Sequence, residues 1–353
     1  MSTIKVEVVK INDVRTHSNA DSLQLATING WQVCVRKGEH KSGDLMVYFE
    51  QGTCLPREVA DRLNVTKYLS EKTNIDGDKV LVVHRAKLRG EPSFGLAIAV
   101  ENPEWLLGQD VAEHYGATKY YPPVKTTAGD AEVAHPLFPT YTDIENMRSY
   151  PDVIMDGEEV VATEKIHGTS ARIGFVRGGD KAEFMAGSKG LRRRMPDTDA
   201  AMRQNTYWYP FTVESVKRML VDLCDAEYNQ VVLFGEVFGK GIQSYTYGQN
   251  AIAFRAFDLM LDGRYVDHST FVGMCEFYGV ETVPLVYRGP FSLDTIKALS
   301  DGPSIMGGSH GREGVVVRPT VERQNAKVGR VILKYVGDSY LFGKNAEQDT
   351  TDL

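Results

Sequence analysis

Over the first ~115 positions, apolar residues come in short runs that alternate with polar ones, the period-two pattern of strands with one buried face. The runs are Ile4–Val9, Leu23–Thr27, Trp31–Val35, Asp44–Phe49, Lys79–Val83 and Phe94–Val100. Turn chemistry separates them at His17-Ser18-Asn19-Ala20-Asp21, Asn29-Gly30 and Leu88-Arg89-Gly90. Short strands at this spacing predict a small all-β barrel rather than a parallel sheet. The pattern then breaks. Tyr120-Tyr121-Pro122-Pro123 and His135-Pro136-Leu137-Phe138-Pro139 are proline-rich, and helix is disfavoured before each proline. A linker or seam is therefore expected over 116–150. A second strand-rich domain is expected over 151–353, with a helix near Phe211–Ala226. There Val213, Val216, Met219, Leu220 and Leu223 recur at helical spacing and read as core. The fold class is α+β: a barrel over 1–115, a seam, and a larger domain.

Composition narrows the class without choosing a function. The 353 residues suffice for two domains with separate cores. With 42% hydrophobic and 25% charged residues and no low-complexity tract, the chain reads as soluble and globular. No apolar run approaches the roughly 20 residues that span a bilayer. The N-terminus MSTIKVEVVKIND lacks the apolar stretch of a signal peptide. A cytoplasmic, monomeric protein without a membrane partner is expected. Cys34, Cys54, Cys224 and Cys275 form no C-x-x-C pair and read as isolated core thiols in a reducing compartment. A net charge of −7 argues mildly against nucleic-acid binding, but a global sum hides local patches. Lys189-Gly190-Leu191-Arg192-Arg193-Arg194 is one such patch, either a grip on a nucleic-acid backbone or a solvated basic turn.

Five separated motifs in the second domain carry the candidate chemistry. In Thr163-Glu164-Lys165-Ile166-His167-Gly168-Thr169-Ser170, a lysine sits where a strand would turn, bordered by glycine and small hydroxyls. An amine attacks a phosphorus only when unprotonated, so burial or a nearby cation would have to tune it; a solvated turn lysine is the bland alternative. Gly168 lets backbone approach a phosphate, and Ser170 can donate to it. In Leu233-Phe234-Gly235-Glu236-Val237, a glutamate inside an apolar strand needs a partner, a ribose hydroxyl or a salt bridge. In Phe254-Arg255-Ala256-Phe257-Asp258-Leu259, one ring can stack on a purine, or both rings are core. Arg312-Glu313-Gly314-Val315-Val316-Val317-Arg318 places Glu313 to hold Mg²⁺ directly or through water. In Val331-Ile332-Leu333-Lys334-Tyr335, the lone cation would face a phosphate.

The ordered set EKIHGTS, GE, FDL, EGVVVR and LKY resembles the motifs of the covalent nucleotidyltransferases, which include DNA ligases, RNA ligases and mRNA capping enzymes. Lys165-x-His167-Gly168 is similar to the RNA ligase 2-like branch, where DNA ligases usually carry aspartate. HSNADSLQLATING resembles the strand-turn-strand of the tRNA-binding type of OB-fold, which presents a face to single strands or backbone. With that domain placed first, and with Lys87-Leu88-Arg89-Gly90 and the segment from Phe138 to Asn146, the chain resembles the RNA ligase 5 group of Deinococcus type. The resemblance implies an N-terminal OB-like barrel followed by a nucleotidyltransferase domain, ATP-grasp-like, with antiparallel sheets.

It also implies site roles. Lys165 would carry AMP. The backbone around Glu164 and Ile166 would contact adenine, with Phe257 stacked on it. Glu236 would bind the ribose, Glu313 the metal (Mg²⁺ or Mn²⁺), and Lys334 the phosphate, while His167, Gly168 and Asp258 complete the motifs. ATP is the expected cofactor. The expected substrate is nicked or broken RNA, or an RNA/DNA hybrid. Two positions depart from the family. Its arginine after the first motif is replaced by Lys189, with Arg192 as the substitute. The first of its two final lysines is Ile332, so that phosphate contact is either missing or supplied from elsewhere, with Arg330 as a candidate. A guanylyltransferase or DNA ligase on the same fold, or a non-catalytic RNA-binding protein, is the alternative.

Overall fold

The alternating runs of the N-terminal segment form strands close to where the pattern puts them. They are β1 (Val6–Thr16), β2 (Leu23–Ile28), β3 (Trp31–Arg36), β4 (Leu45–Phe49) and β5 (Leu96–Ala99). The computed structural model describes residues 4–123, 130–178 and 181–342, which fall into two compact units, 4–123 and 130–342. In the first unit the five strands make an antiparallel sheet in the order β5-β4-β1-β2-β3. β1 runs well past the apolar stretch Ile4–Val9, and its register shifts between Ile11 and Asp13 where it passes from β4 to β2. Such a bulge bends a strand so that it can serve two partners.

Thr53–Leu55, Ser70–Thr73, Lys79–Val82 and Thr118–Lys119 form a second antiparallel sheet. Val6, Val8, Val47 and Phe49 of the first sheet share a buried core with Leu55, Leu81 and Tyr115. Two sheets on one core match the small all-β domain expected from the pattern.

The second unit holds two further sheets. The larger has β7 (Thr169–Gly178), β8 (Lys181–Ser188), β9 (Gln230–Gly239) and β10 (Ile252–Leu261) at its centre, in the order β8-β7-β9-β10. Short strands at Ala131–Glu132, Arg192–Arg193 and Arg264–Tyr265 extend its edges. One face is covered by α1 (Glu214–Ala226) and α2 (His268–Tyr278), with Ile173, Leu233, Ala256 and Leu259 packed on Met219, Leu220, Phe271 and Cys275. The stripe expected to be core is core.

The smaller sheet contains β6 (Glu159–Glu164), β11 (Gly314–Pro319) and β12 (Leu333–Val336), flanked by Leu285–Pro290 and Glu145–Asn146. Its ladders are antiparallel except for Glu145–Asn146 against β12. Val160, Ala162, Val315, Val317 and Leu333 pack beneath it on Ile296 of α3 (Leu293–Ser300). Alternation then turns Thr163, Val316 and Lys334, which pair across the three strands, to the opposite face.

The proline-rich segment expected to be a seam is largely part of this second unit. Residues 124–129 lie outside the described residues. Beyond them, Glu145–Asn146 joins a sheet, and Phe138, Tyr141, Met147 and Tyr150 are buried. Arg172 explains part of this docking: its guanidinium lies over the Phe138 ring and donates to the carbonyls of Phe138 (2.5 Å) and Ser188 (3.0 Å). Burial pulls the Arg172 pKa down to about 10. Proline ended the strand pattern there without ending the packing.

Candidate active site

The first motif is the turn between β6 and β7, so a lysine expected where a strand turns is found there. The β6 ladder continues one residue further, with the Lys165 N–H donating to the Gly314 carbonyl at 3.0 Å. That bond sets Lys165 beside Glu313. The Nζ lies 2.5 Å from Glu313 Oε1, and the two side chains are 13% and 2% exposed. The other carboxylate oxygen, Oε2, is buried without a hydrogen-bond partner and stands 3.6 Å from His167 Nδ1. A buried carboxylate oxygen left unpaired is costly unless something else is meant to meet it.

Gly168 is required by the approach of β9. A Cβ there would lie 2.4 Å from the Val237 carbonyl and 2.9 Å from Glu236 Cγ. The register then sets Ser170 opposite Glu236. Both are half-buried, on the face of the larger sheet turned away from the helices. Lys334, also half-buried, pairs with Val316 and through it with Thr163, two residues before Lys165.

Phe257 owes its direction to a β-bulge. Asp258 pairs with Phe234 and Ala256 with Gly235, which leaves Phe257 as the extra residue of β10. Phe254 and Ala256 consequently join the helix-covered core. Phe257 points the other way, into an apolar cluster with Ile166, Phe238, Tyr247 and Val283. Of the two rings in the third motif, one joins the helix-covered core and the other the cluster around Ile166.

Asp258 lies behind that ring and is fully buried. It accepts from the Tyr141 hydroxyl at 2.7 Å and from Arg330 at 2.6 Å, and pairs with Arg318 at 3.0 Å. Glu322 completes the network with two bonds from Arg330, at 2.7 and 2.6 Å. Burial alone would raise the Asp258 carboxyl, but Arg318 and Arg330 outweigh it and hold it below the usual aspartate range. Burial and the Asp258 charge push the Tyr141 phenol well above its own. This network holds Asp258 wholly within the fold. It also occupies Arg330, which is therefore not placed to stand in for the first of the two motif lysines; the buried Ile332 stands at that position.

Three other candidate residues have side-chain partners that the sequence did not announce. The Glu164 side chain is wholly buried and accepts from Ser304 Oγ (2.5 Å) and the Ile305 N–H (2.8 Å), anchoring the loop that brings Met306 to the Phe257 cluster. Lys189 is exposed and pairs with Asp143 at 2.8 Å. Arg192 pairs with Glu132 (2.9 Å) and Glu183 (3.2 Å), and neighbouring Arg193 pairs with Asp130 at 3.1 Å. The basic patch is thus met by acidic groups, many of them from the segment read as a seam. Arg194 is exposed.

Sequence reasoning missed a shell around His167. The Tyr247 hydroxyl accepts from its backbone N–H at 2.6 Å, Ser244 Oγ meets Nε2 at 3.3 Å, and the Tyr340 hydroxyl meets Nδ1 at 3.2 Å. Tyr247 is buried at a φ of 53°, a conformation that strains any residue but glycine. Burial and the neighbouring carboxylates raise its phenol pKa. The only signal in the sequence was the aromatic string Ser244-Tyr245-Thr246-Tyr247-Gly248 between two motifs.

The family model described as RNA ligase matches residues 158–336, and a model of an OB-fold domain matches residues 5–100. No curated protein matches the sequence. Solved structures of Naegleria gruberi RNA ligase are similar over nearly the whole chain. A mutant with AMP and Mn has a TM-score of 0.71 and 23% identity, covering 95% of this chain and 97% of that one. A mutant with ATP and Mn has a TM-score of 0.70 and 22% identity, with 95% and 98% covered. The form with PPi has a TM-score of 0.69 and 23% identity, with 96% and 97% covered. The first unit has the OB-fold, the second has the ligase nucleotidyltransferase fold, and the chain belongs to the RNA ligase family.

Proposed function

We propose that the protein is an ATP-dependent RNA ligase of the RNA ligase 5 type that seals nicks in duplexes, with Lys165 as the residue that becomes adenylylated. The observation that carries this reading is the buried Lys165–Glu313 pair beside an unpaired carboxylate oxygen. An ammonium held against a carboxylate is not a nucleophile, so the resting pair has to separate before Lys165 can react. Glu313 suits a divalent cation, since its free oxygen is a hard donor of the kind Mg²⁺ and Mn²⁺ take. Among the described residues no three His, Cys, Asp or Glu side chains cluster for a metal. The remaining ligands would therefore be phosphate oxygens and water. When bound, such an ion supplies charge neutralisation at the triphosphate. The Naegleria structures that hold ATP or AMP with Mn support this choice.

In the proposed sequence the Lys165 amine attacks the α-phosphorus of ATP. A phosphorus–nitrogen bond forms and pyrophosphate leaves. The 5′-phosphate of an RNA strand then takes the AMP, which restores the lysine and leaves an anhydride. A strand's 3′-hydroxyl displaces AMP from that anhydride, and the phosphodiester forms. Phe257 and Ile166 offer an apolar seat for adenine, with backbone around Glu164 and Ile166 at its edge. Glu236, with Ser170 opposite, is assigned the ribose side, and Lys334 the phosphates. Such preorganised charge is worth on the order of 10²–10³ in rate per group. The OB-fold unit is assigned the RNA backbone.

The test is a panel of nicked duplexes carrying RNA or DNA on each side of the break, given ATP or GTP with Mg²⁺. Sealing with ATP where an RNA 3′-hydroxyl borders the nick is expected. Labelling by GTP alone, or sealing equally well with DNA on both sides, would overturn the assignment.

A further inference from the structure

We infer that Tyr340, on the helix α4 (Asp338–Phe342), is a positioning residue for His167 and through it for the Lys165–Glu313 pair. This rests on the proposed ligase reading. The His167 ring is 9% exposed, and each nitrogen meets a hydroxyl, Tyr340 at Nδ1 and Ser244 at Nε2. A hydroxyl both donates and accepts. The two bonds therefore survive either tautomer of the ring and its protonation. They fix where the ring points rather than what charge it carries. With Tyr340 in place, Nδ1 faces the unpaired Oε2 of Glu313 at 3.6 Å.

The Tyr245 ring, 5.0 Å from the imidazole and 6.0 Å from Tyr340, closes the remaining side. α4 is itself tied to the same catalytic residue. The Gly337 N–H donates to the Glu313 carbonyl at 2.9 Å, and Arg148 bonds the Val336 carbonyl (3.1 Å) and Asp338 (2.7 Å). The Ser339 N–H donates to Asp301 at 2.9 Å. One short segment thus holds the backbone of Glu313 and orients the imidazole that faces its carboxylate. Hydroxyls on both ring nitrogens, Tyr340 at Nδ1 and Ser244 at Nε2, fix the plane and direction of the imidazole together.

The test compares Tyr340→Phe, His167→Ala and the double variant in the full chain, with lysine adenylylation followed at several ATP concentrations. Tyr340→Phe should slow the saturated rate by about tenfold, the cost of one good hydrogen bond, with KM for ATP within about twofold. If Tyr340 acts through His167, the double variant should be no slower than His167→Ala alone. A Tyr340→Phe rate equal to wild type would overturn the inference. So would a double variant that loses the full product of both effects. Should Tyr340→Phe melt earlier than wild type, Ser244→Ala probes the ring from Nε2 and should give the same pattern. A wild-type protein that takes no AMP from ATP would defeat the ligase reading instead, which keeps the two failures apart.

Discussion

Two buried charge networks lie in the second unit, and they are built on opposite terms. Around Asp258 both carboxylate oxygens are met, by Tyr141, Arg330 and Arg318, and Glu322 closes the arginine side. Around Glu313 one oxygen holds Lys165 and the other meets no donor. A closed network adds rigidity and fixes an arrangement, here the bulge that turns Phe257 toward the site. An open one keeps capacity for a ligand, at a cost the fold must absorb. The two carboxylates sit in motifs of equal prominence in the sequence, and only the folded chain shows how their partners differ.

The largest expected effect tests the closed network. Asp258→Ala would leave the buried Arg318 and Arg330 to share the Glu322 carboxylate, one anion for two cations, and should cost about 3–5 kcal/mol of stability. Urea denaturation would read it. A loss under 1 kcal/mol would mean that the network does not hold the fold. Glu313→Gln should do the reverse. Lysine adenylylation should fall by about 10²–10³, while the urea midpoint stays near wild type. Glu313→Gln destabilising as much as Asp258→Ala would erase the distinction between the networks.

A titration sharpens the comparison further. Burial, assisted by the Arg318 cation, lowers His268 to about 4 from 6.5, against the pull of Asp258. The unfolded chain therefore takes up this proton first. Stability should be complete above about pH 6.5 and fall by about 2–3 kcal/mol as the pH drops to 4. Denaturation midpoints across that window should lose most of the slope in His268→Gln. The smallest effect is expected at the exposed Lys189–Asp143 pair, where Lys189→Ala should change stability by less than about 1 kcal/mol.

Legibility followed the same physics. β2 and β3 were readable because a half-buried strand repeats every two residues, and α1 because its apolar stripe does so at helical spacing. Ser70–Thr73 was not, since Ser70, Glu71, Lys72 and Thr73 carry no apolar residue and the strand is defined by its ladder to Lys79–Val82. The segment after His135 looked like a linker because prolines interrupt it, yet four of its aromatic and apolar side chains are buried. At the candidate site, Lys165, Glu313 and Gly168 could be singled out only because their motifs occur as an ordered set, since a lysine or glycine at a strand end says little by itself. The bulge at Phe257, the occupation of Arg192 and Arg330 by acidic groups, and the Tyr247 and Tyr340 contacts to His167 depend on residues far apart in the chain. No local pattern announces them.

The most direct measurement of the central claim is peptide mapping of the protein after a brief incubation with ATP and Mg²⁺ in the absence of RNA. A single AMP adduct on the peptide containing Lys165, discharged by adding a 5′-phosphorylated strand and missing from Lys165→Ala, is the result the account predicts. An adduct on another residue, or a Lys165→Ala protein that still joins strands, would contradict it.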